Sequence, residues 1–275
     1  MTNSLAMLEI KKPGALVDLG KGVNIYAHDS GTGTPVLLLH GVGLCADDWI
    51  GPASYFRDRF RVIRVDTRGH GRSSAPEGRW QLRDFTHDLA ALLDRLGVDV
   101  THVAGFSMGG LLAQAFTLHY PERVGKLAIL AATTGRNPDE QYRLEQRLDF
   151  LRTNHSSSYF REHACPRWFT DEFRASDPEV VDYCEQVVAS NNHEAYVKAY
   201  EVLVGNDLAA ELPKINHQTL VLTGENDIGA GPRAAELIAG RIPKSRLVIV
   251  PRLRHHILLE APDIVGGILR EFFTG

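Results

Sequence analysis

The chain has 275 residues, 44% of them hydrophobic and 23% charged, which is enough for one large core without disulfide support. With 30 Lys+Arg against 34 Asp+Glu its formal charge is −4, which argues against nucleic acid as a partner, because phosphate backbones demand a basic face. The N-terminus MTNSLAMLEIKKPG has no apolar core of signal-peptide length, no stretch is long and apolar enough to span a membrane, and the 3 cysteines (Cys45, Cys165, Cys184) are too scattered for a disulfide framework. These features predict a cytoplasmic chain, monomer or homodimer, with no membrane partner and with each cysteine an ordinary core thiol.

The first apolar run, Val36–Leu39, enters the turn HGVGLCA. Gly41, Gly43 and Ala46 have the spacing of the dinucleotide fingerprint G-x-G-x-x-G/A, and the next run, Val62–Val65, ends in Asp66, where that fingerprint places its ribose-binding acid. Asp47 and Asp48 oppose this reading, since negative charge at a helix start disfavours a pyrophosphate. Arg83–Leu96 then sets Phe85, Leu89, Leu92, Leu93 and Leu96 on one helical face and stops at Gly97. Run Val100–Ala104, the helical stretch Gly109–His119 ended by Tyr120-Pro121, and run Leu127–Leu130 follow.

Runs of this kind, without period-two alternation, suit strands buried on both faces. Alternating with helices, they predict an α/β fold with a mostly parallel central sheet. The alternation breaks over 135–212, where helical periods dominate (Gln141–Leu151, Glu179–Ser190, Glu194–Val204), and resumes with Thr219–Leu222 and Leu247–Val250. The expected organisation is a core at 1–134 and 213–275 with a helical cap insertion at 135–212.

Residues 105–109 read GFSMG between a strand and a helix, the context that G-x-S-x-G requires. A serine there sits on a strained turn at a helix N-terminus, with glycines where side chains would collide with the neighbouring strand and helix. After Thr219–Leu222 comes GEND with Asp227, and after Leu247–Val250 comes PRLRHHILLEAP with His255 and His256. Three strand ends thus deliver Ser, Asp and His, in that order, to the edge where open sheets bind ligands.

On HGVG (40–43), DTRGHGRS (66–73), GFSMGG (105–110), GEND (224–227) and the spacing of His255, Glu260 and Pro262, the chain resembles α/β-hydrolase fold enzymes from about Val23 onward. The resemblance implies Ser107 as nucleophile, His255 rather than His256 as base, and Asp227 rather than Glu225 as its orienting acid. The backbone N–H groups of Val42 and Met108 would form the oxyanion hole, and the glycine turn would shape that hole rather than hold a pyrophosphate. Two departures stand out: Arg254 occupies a position that is often Gly, and Pro232 follows Asp227 by five residues instead of four. His40 and His70 read as loop-packing residues. No histidine pair has metal-ligand spacing, so neither metal nor cofactor is expected.

A serine at the elbow speaks against dehalogenases and epoxide hydrolases of this fold, which carry Asp there, and leaves acyl transfer on a small-molecule substrate. Within the insertion, CPRWFTDEFR (165–174) and HEAYVKAYEVLVGNDL (193–208) are similar to 3-oxoadipate enol-lactonases, which open a carboxylated enol-lactone in aromatic catabolism. The turn HGVGLCADDW departs from that group. The likeness implies Trp168 over the substrate, with Arg136, Arg161 or Arg167 available for a carboxylate. Carbon–carbon bond hydrolases and cofactor-free haloperoxidases or dioxygenases use similar sites. The former favour Ser-Gly where Val42-Gly43 stands here. A non-catalytic receptor on the same scaffold is the remaining alternative.

Overall fold

The computed structural model describes residues 14–275, so all but the last residue of the N-terminal stretch MTNSLAMLEIKKPG, expected to be no signal peptide, lies outside the described residues. Eight strands form one sheet: β1 (Ala15–Gly20), β2 (Val23–Ser30), β3 (Thr34–Leu39), β4 (Phe60–Val65), β5 (Thr101–Phe106), β6 (Val124–Leu130), β7 (Gln218–Gly224) and β8 (Ser245–Val250). Their spatial order is β1-β2-β4-β3-β5-β6-β7-β8, antiparallel for β1·β2 and β2·β4 and parallel thereafter. The six apolar runs are the parallel strands, and the interior strands β3 to β7 end in stretches of fully buried residues such as Val36–Leu39 and Leu127–Leu130.

Helix α1 (Leu82–Arg95) packs Phe85, Leu89, Leu92 and Leu93 into the core, and α2 (Met108–His119), apolar nearly all round, is buried along most of its length. Between β6 and β7 lie α3 (Pro138–Thr153), α4 (Pro178–Ser190) and α5 (His193–Gly205), with shorter turns between them and no strand among the described residues. Helices α6 (Pro232–Arg241) and α7 (Pro262–Thr274) complete the flanks. The chain passes from β3 to β4 on one side and then returns to β5 on the other side of β3. The carboxyl ends of β3 and β5 therefore flank the switch point where open sheets offer a crevice. Among the described residues no helix is long and apolar enough to cross a membrane.

Two histidines are locked into this core in neutral form. His102 stacks on Phe273 at 5.2 Å and accepts the Lys126 N–H at Nδ1. Burial, with Lys126 nearby, lowers its pKa to about 4. His70 is lowered to about 3 by burial and by His40. Unfolded histidine titrates near about 6.5, so the unfolded chain takes up these protons first as the pH falls. The stability both rings contribute is therefore complete above pH about 6.5 and drains away below it. The urea midpoint should fall between pH 7 and 5, and His102→Gln should flatten that slope by up to about one proton. An unchanged slope in the variant would contradict the assignment.

Candidate active site

Ser107 lies between β5 and α2 at φ 54° and ψ −116°, a left-handed backbone that a non-glycine residue adopts only under constraint. The neighbouring glycines impose it. A Cβ on Gly105 would lie 2.0 Å from the carbonyl oxygen of Gly109, and one on Gly109 would lie 2.3 Å from that of Leu39. The turn is thus pressed between two strands and its own helix, which lifts the serine side chain above the sheet edge.

The Ser107 hydroxyl lies 3.1 Å from His255 Nε2, and His255 Nδ1 lies 2.6 Å from Asp227 Oδ2. An ionised carboxylate only accepts, so Nδ1 carries the ring proton and Nε2 is left to accept from the serine. Burial would raise the Asp227 pKa, but His255 and the backbone N–H groups of Ala230 and Gly229 outweigh it and hold the carboxyl below its ordinary range. The structure therefore brings Ser107, His255 and Asp227 together in one hydrogen-bonded chain. The competitors lie elsewhere. Glu225 is exposed and accepts the Arg252 N–H at 2.9 Å. His256 is fully buried, stacked on Phe169 at 5.2 Å, and faces Asp48 at 3.6 Å.

Arg254, at the position where the resembled family often carries Gly, donates to the carbonyl oxygens of Pro166 and Phe169 and to Asp171, each at 2.8 Å. With His256 N–H on Trp168 O at 2.8 Å and Thr170 bonded to Glu260, it stitches the histidine loop to the RWFT segment. That segment sets the Trp168 ring 6.2 Å from the His255 ring.

Asp66 does not face a ligand crevice. It is fully buried, with Oδ1 accepting from Ala46 N–H and Oδ2 from the Arg72 backbone and guanidinium. It ties the DTRGHGRS loop to the turn after β3. His40 donates from Nδ1 to Gly41 O and accepts the Thr67 N–H at Nε2, while His70 bonds within its own loop. Both hold loops in place. Cys45 and Cys184 are buried thiols and Cys165 is half-buried.

A chamber of about 50 Å³ opens at Ser107, lined by Val42 and His255 together with Trp168 and other residues of 135–212. Met108 is the first residue of α2, so its N–H has no intrahelical acceptor, and Val42, in the turn after β3, lines the same chamber as Ser107. Arg136 is not at the chamber wall. Its guanidinium is buried and donates to the carbonyl oxygens of Leu203, Val204 and Asn206, capping α5 and closing the base of the insertion. Arg161 is exposed and paired with Glu185. Arg167 does line the chamber, donating to the Tyr159 hydroxyl at 3.0 Å, and so does Arg147, which the sequence reading passed over. Arg147, Tyr159 and Arg167 also line an outer groove of about 540 Å³, so they stand at the mouth between the two spaces. Tyr196, Tyr200 and Leu203 complete the roof from α5; their spacing of i, i+4 and i+7 was the legible signal for one shared face.

The chain belongs to the alpha/beta hydrolase fold family, whose model matches residues 34–262. Among its relatives, 3-oxoadipate enol-lactonase 2 of Acinetobacter baylyi is 32% identical over 203 residues, covering 74% of this chain and 75% of that enzyme. The (E)-2-((N-methylformamido)methylene)succinate hydrolase of the same organism is 28% identical over 253 residues, covering 90% and 94%. The solved enol-lactonase from Burkholderia xenovorans LB400 superposes with a TM-score of 0.87 at 26% identity, covering 94% of this chain and 99% of that one.

Proposed function

We propose that the protein is a serine hydrolase that cleaves a small ester or lactone bearing a carboxylate, through an acyl-enzyme on Ser107. The observation that carries this reading is the relay from Ser107 through His255 to Asp227 at 3.1 and 2.6 Å. In the reaction Ser107 Oγ attacks the carbonyl carbon as its proton passes to His255 Nε2, and the backbone N–H groups of Val42 and Met108 hold the oxyanion. Collapse breaks the bond to the leaving alkoxide or enolate, which takes the proton from His255. Water then attacks the acyl-enzyme, gives its proton to His255, and releases the acid with Ser107 restored. The helices of 135–212 serve as the cap that excludes bulk water.

A carboxylate on the substrate is supported by the lining: Arg147 and Arg167 face the chamber and no Asp or Glu does. Arg147 has no carboxylate partner among the described residues. Both relatives named above, an oxoadipate enol-lactonase and a substituted succinate hydrolase, are named for carboxylated compounds. Arg136 bonds the carbonyl end of α5 and does not line this chamber, so the carboxylate is assigned to Arg147 and Arg167 instead.

Kinetics on a carboxylated enol-lactone and a neutral lactone of similar size test the assignment. The expected outcome is a preference for the carboxylated ring, with Arg147→Met lowering kcat/KM on it by about tenfold or more, the cost of one charge-assisted hydrogen bond. Turnover of a ring-fission diketone without turnover of any ester or lactone would make the protein a carbon–carbon bond hydrolase instead. Inertness toward all of these substrates would favour a receptor.

A further inference from the structure

One polar group in the chamber has no work in the folded protein alone. Tyr196 is fully buried, its ring lies over Gly43 of the turn after β3, and its hydroxyl makes no hydrogen bond among the described residues. Packing against Gly43 is so close that a Cβ there would meet the Tyr196 ring at 2.3 Å, which fixes the ring in position. The neighbouring phenols differ. Tyr159 accepts from Arg167, and Tyr200 faces Tyr159. A buried hydroxyl without a partner weakens a fold, and one that lines the cavity beside a nucleophile invites a partner that arrives with the ligand.

We infer that the Tyr196 hydroxyl is a specificity-determining donor, hydrogen-bonding a second oxygen of the bound acyl group, beyond the carbonyl that Ser107 attacks. The chemistry of the wall names the class of that oxygen. Tyr196 shares the lining with Arg147 and Arg167, so the wall offers donors and positive charge but no acidic side chain. An acceptor-only, anionic group fits it, which is a carboxylate on the acyl side of the bond. Burial raises the Tyr196 pKa well above its ordinary value, so the phenol keeps its proton for donation. The attacked carbonyl would have its own donors in the Val42 and Met108 backbone, whereas Tyr196 reaches the chamber from α5. This inference rests on the reading of the site as an acyl-transfer centre for carboxylated substrates.

The test removes one atom. Tyr196→Phe keeps the ring over Gly43 and deletes the hydroxyl. Selectivity is read as the ratio of kcat/KM for p-nitrophenyl hemisuccinate to that for p-nitrophenyl butyrate, which are similar in size and differ in the terminal carboxylate. The ratio should fall by about tenfold or more, because a site built to hydrogen-bond a group discriminates strongly through it. At the same time Tm should rise, by about 2 °C or more, as an unsatisfied buried hydroxyl is removed. Greater stability together with weaker discrimination is an outcome that a purely structural tyrosine would not produce. An unchanged ratio, whether because neither rate falls or because both fall together, overturns the inference, and so does a lower Tm.

A second readout does not depend on turnover. Succinate binding to Ser107→Ala, followed through Trp168 fluorescence, should weaken by about tenfold when Tyr196→Phe is added. If the wild type hydrolyses neither ester yet this difference appears, the hydrolase reading fails and the Tyr196 assignment stands. If both esters turn over and neither the ratio nor succinate affinity changes, the assignment fails and the hydrolase reading stands.

Discussion

Ser107→Ala should retain the fold and lose hydrolysis by on the order of 10⁵-fold, measured as kcat on any ester or lactone the wild type accepts. The fold survives because the side chain makes a single long hydrogen bond, 3.1 Å to His255, and alanine meets the same backbone constraint at φ 54°. The activity does not survive, because the carbonyl loses the atom that attacks it. Residual rate would come from the Val42 and Met108 N–H groups and from substrate positioning alone. Adding His255→Ala or Asp227→Asn to Ser107→Ala should cost little more, since members of a relay act as a unit. Additive losses would mean that the three side chains do not serve one proton path.

His255 and His256 should separate into activity and stability. His255→Ala is expected to match Ser107→Ala in lost kcat while leaving thermal unfolding nearly unchanged, because this ring is partly exposed at the chamber floor. His256→Ala should do the reverse. Its ring is sealed between Phe169 and Phe106, 3.6 Å from an Asp48 carboxylate that accepts no hydrogen bond among the described residues. Removing it opens a cavity and strands a buried acid, a loss of about 3–5 kcal/mol. The rate per folded molecule should change far less, within about tenfold, through slight movement of the adjoining loop. Parallel measurement of kcat and of the urea midpoint on both variants checks this, and an inactive but stable His256→Ala would reverse the assignment of the base.

The parallel sheet was legible because most of its strands are short, mainly apolar runs between turn residues, although β4 carries Arg64 and β5 carries Thr101 and His102. The antiparallel pair β1·β2 was not, since β1 is half-exposed, Leu16 faces solvent, and the pair is announced mainly by the turn Gly20-Lys21-Gly22, all three residues at positive φ. The serine elbow was legible because it is local, fixed by five adjacent residues between a strand and a helix. The separation of His255 from His256 needed the spacing to Glu260 and Pro262, and in the structure Glu260 accepts from Thr170 of the RWFT segment.

The insertion was harder to read. Its helices follow from periodicity, but which cation faces the chamber depends on how α3 and α5 dock, a long-range matter. Arg136 sits beside the first turn of α3 and is consumed by the carbonyl end of α5, whereas Arg147, in a stretch that reads as a solvated charged face, is turned inward two turns and more along the same helix. Tyr196 follows the same logic. Its spacing marks it as part of a buried face, and only packing reveals that its hydroxyl is left without a partner.

Mass analysis of the protein quenched during turnover of p-nitrophenyl hemisuccinate tests the acyl-enzyme most directly. The account predicts a succinyl group on the peptide that carries Ser107, present in the wild type, enriched when deacylation is slowed by low pH, and absent from Ser107→Ala. Sustained turnover with that peptide unmodified, or with the acyl group on another residue, would contradict it.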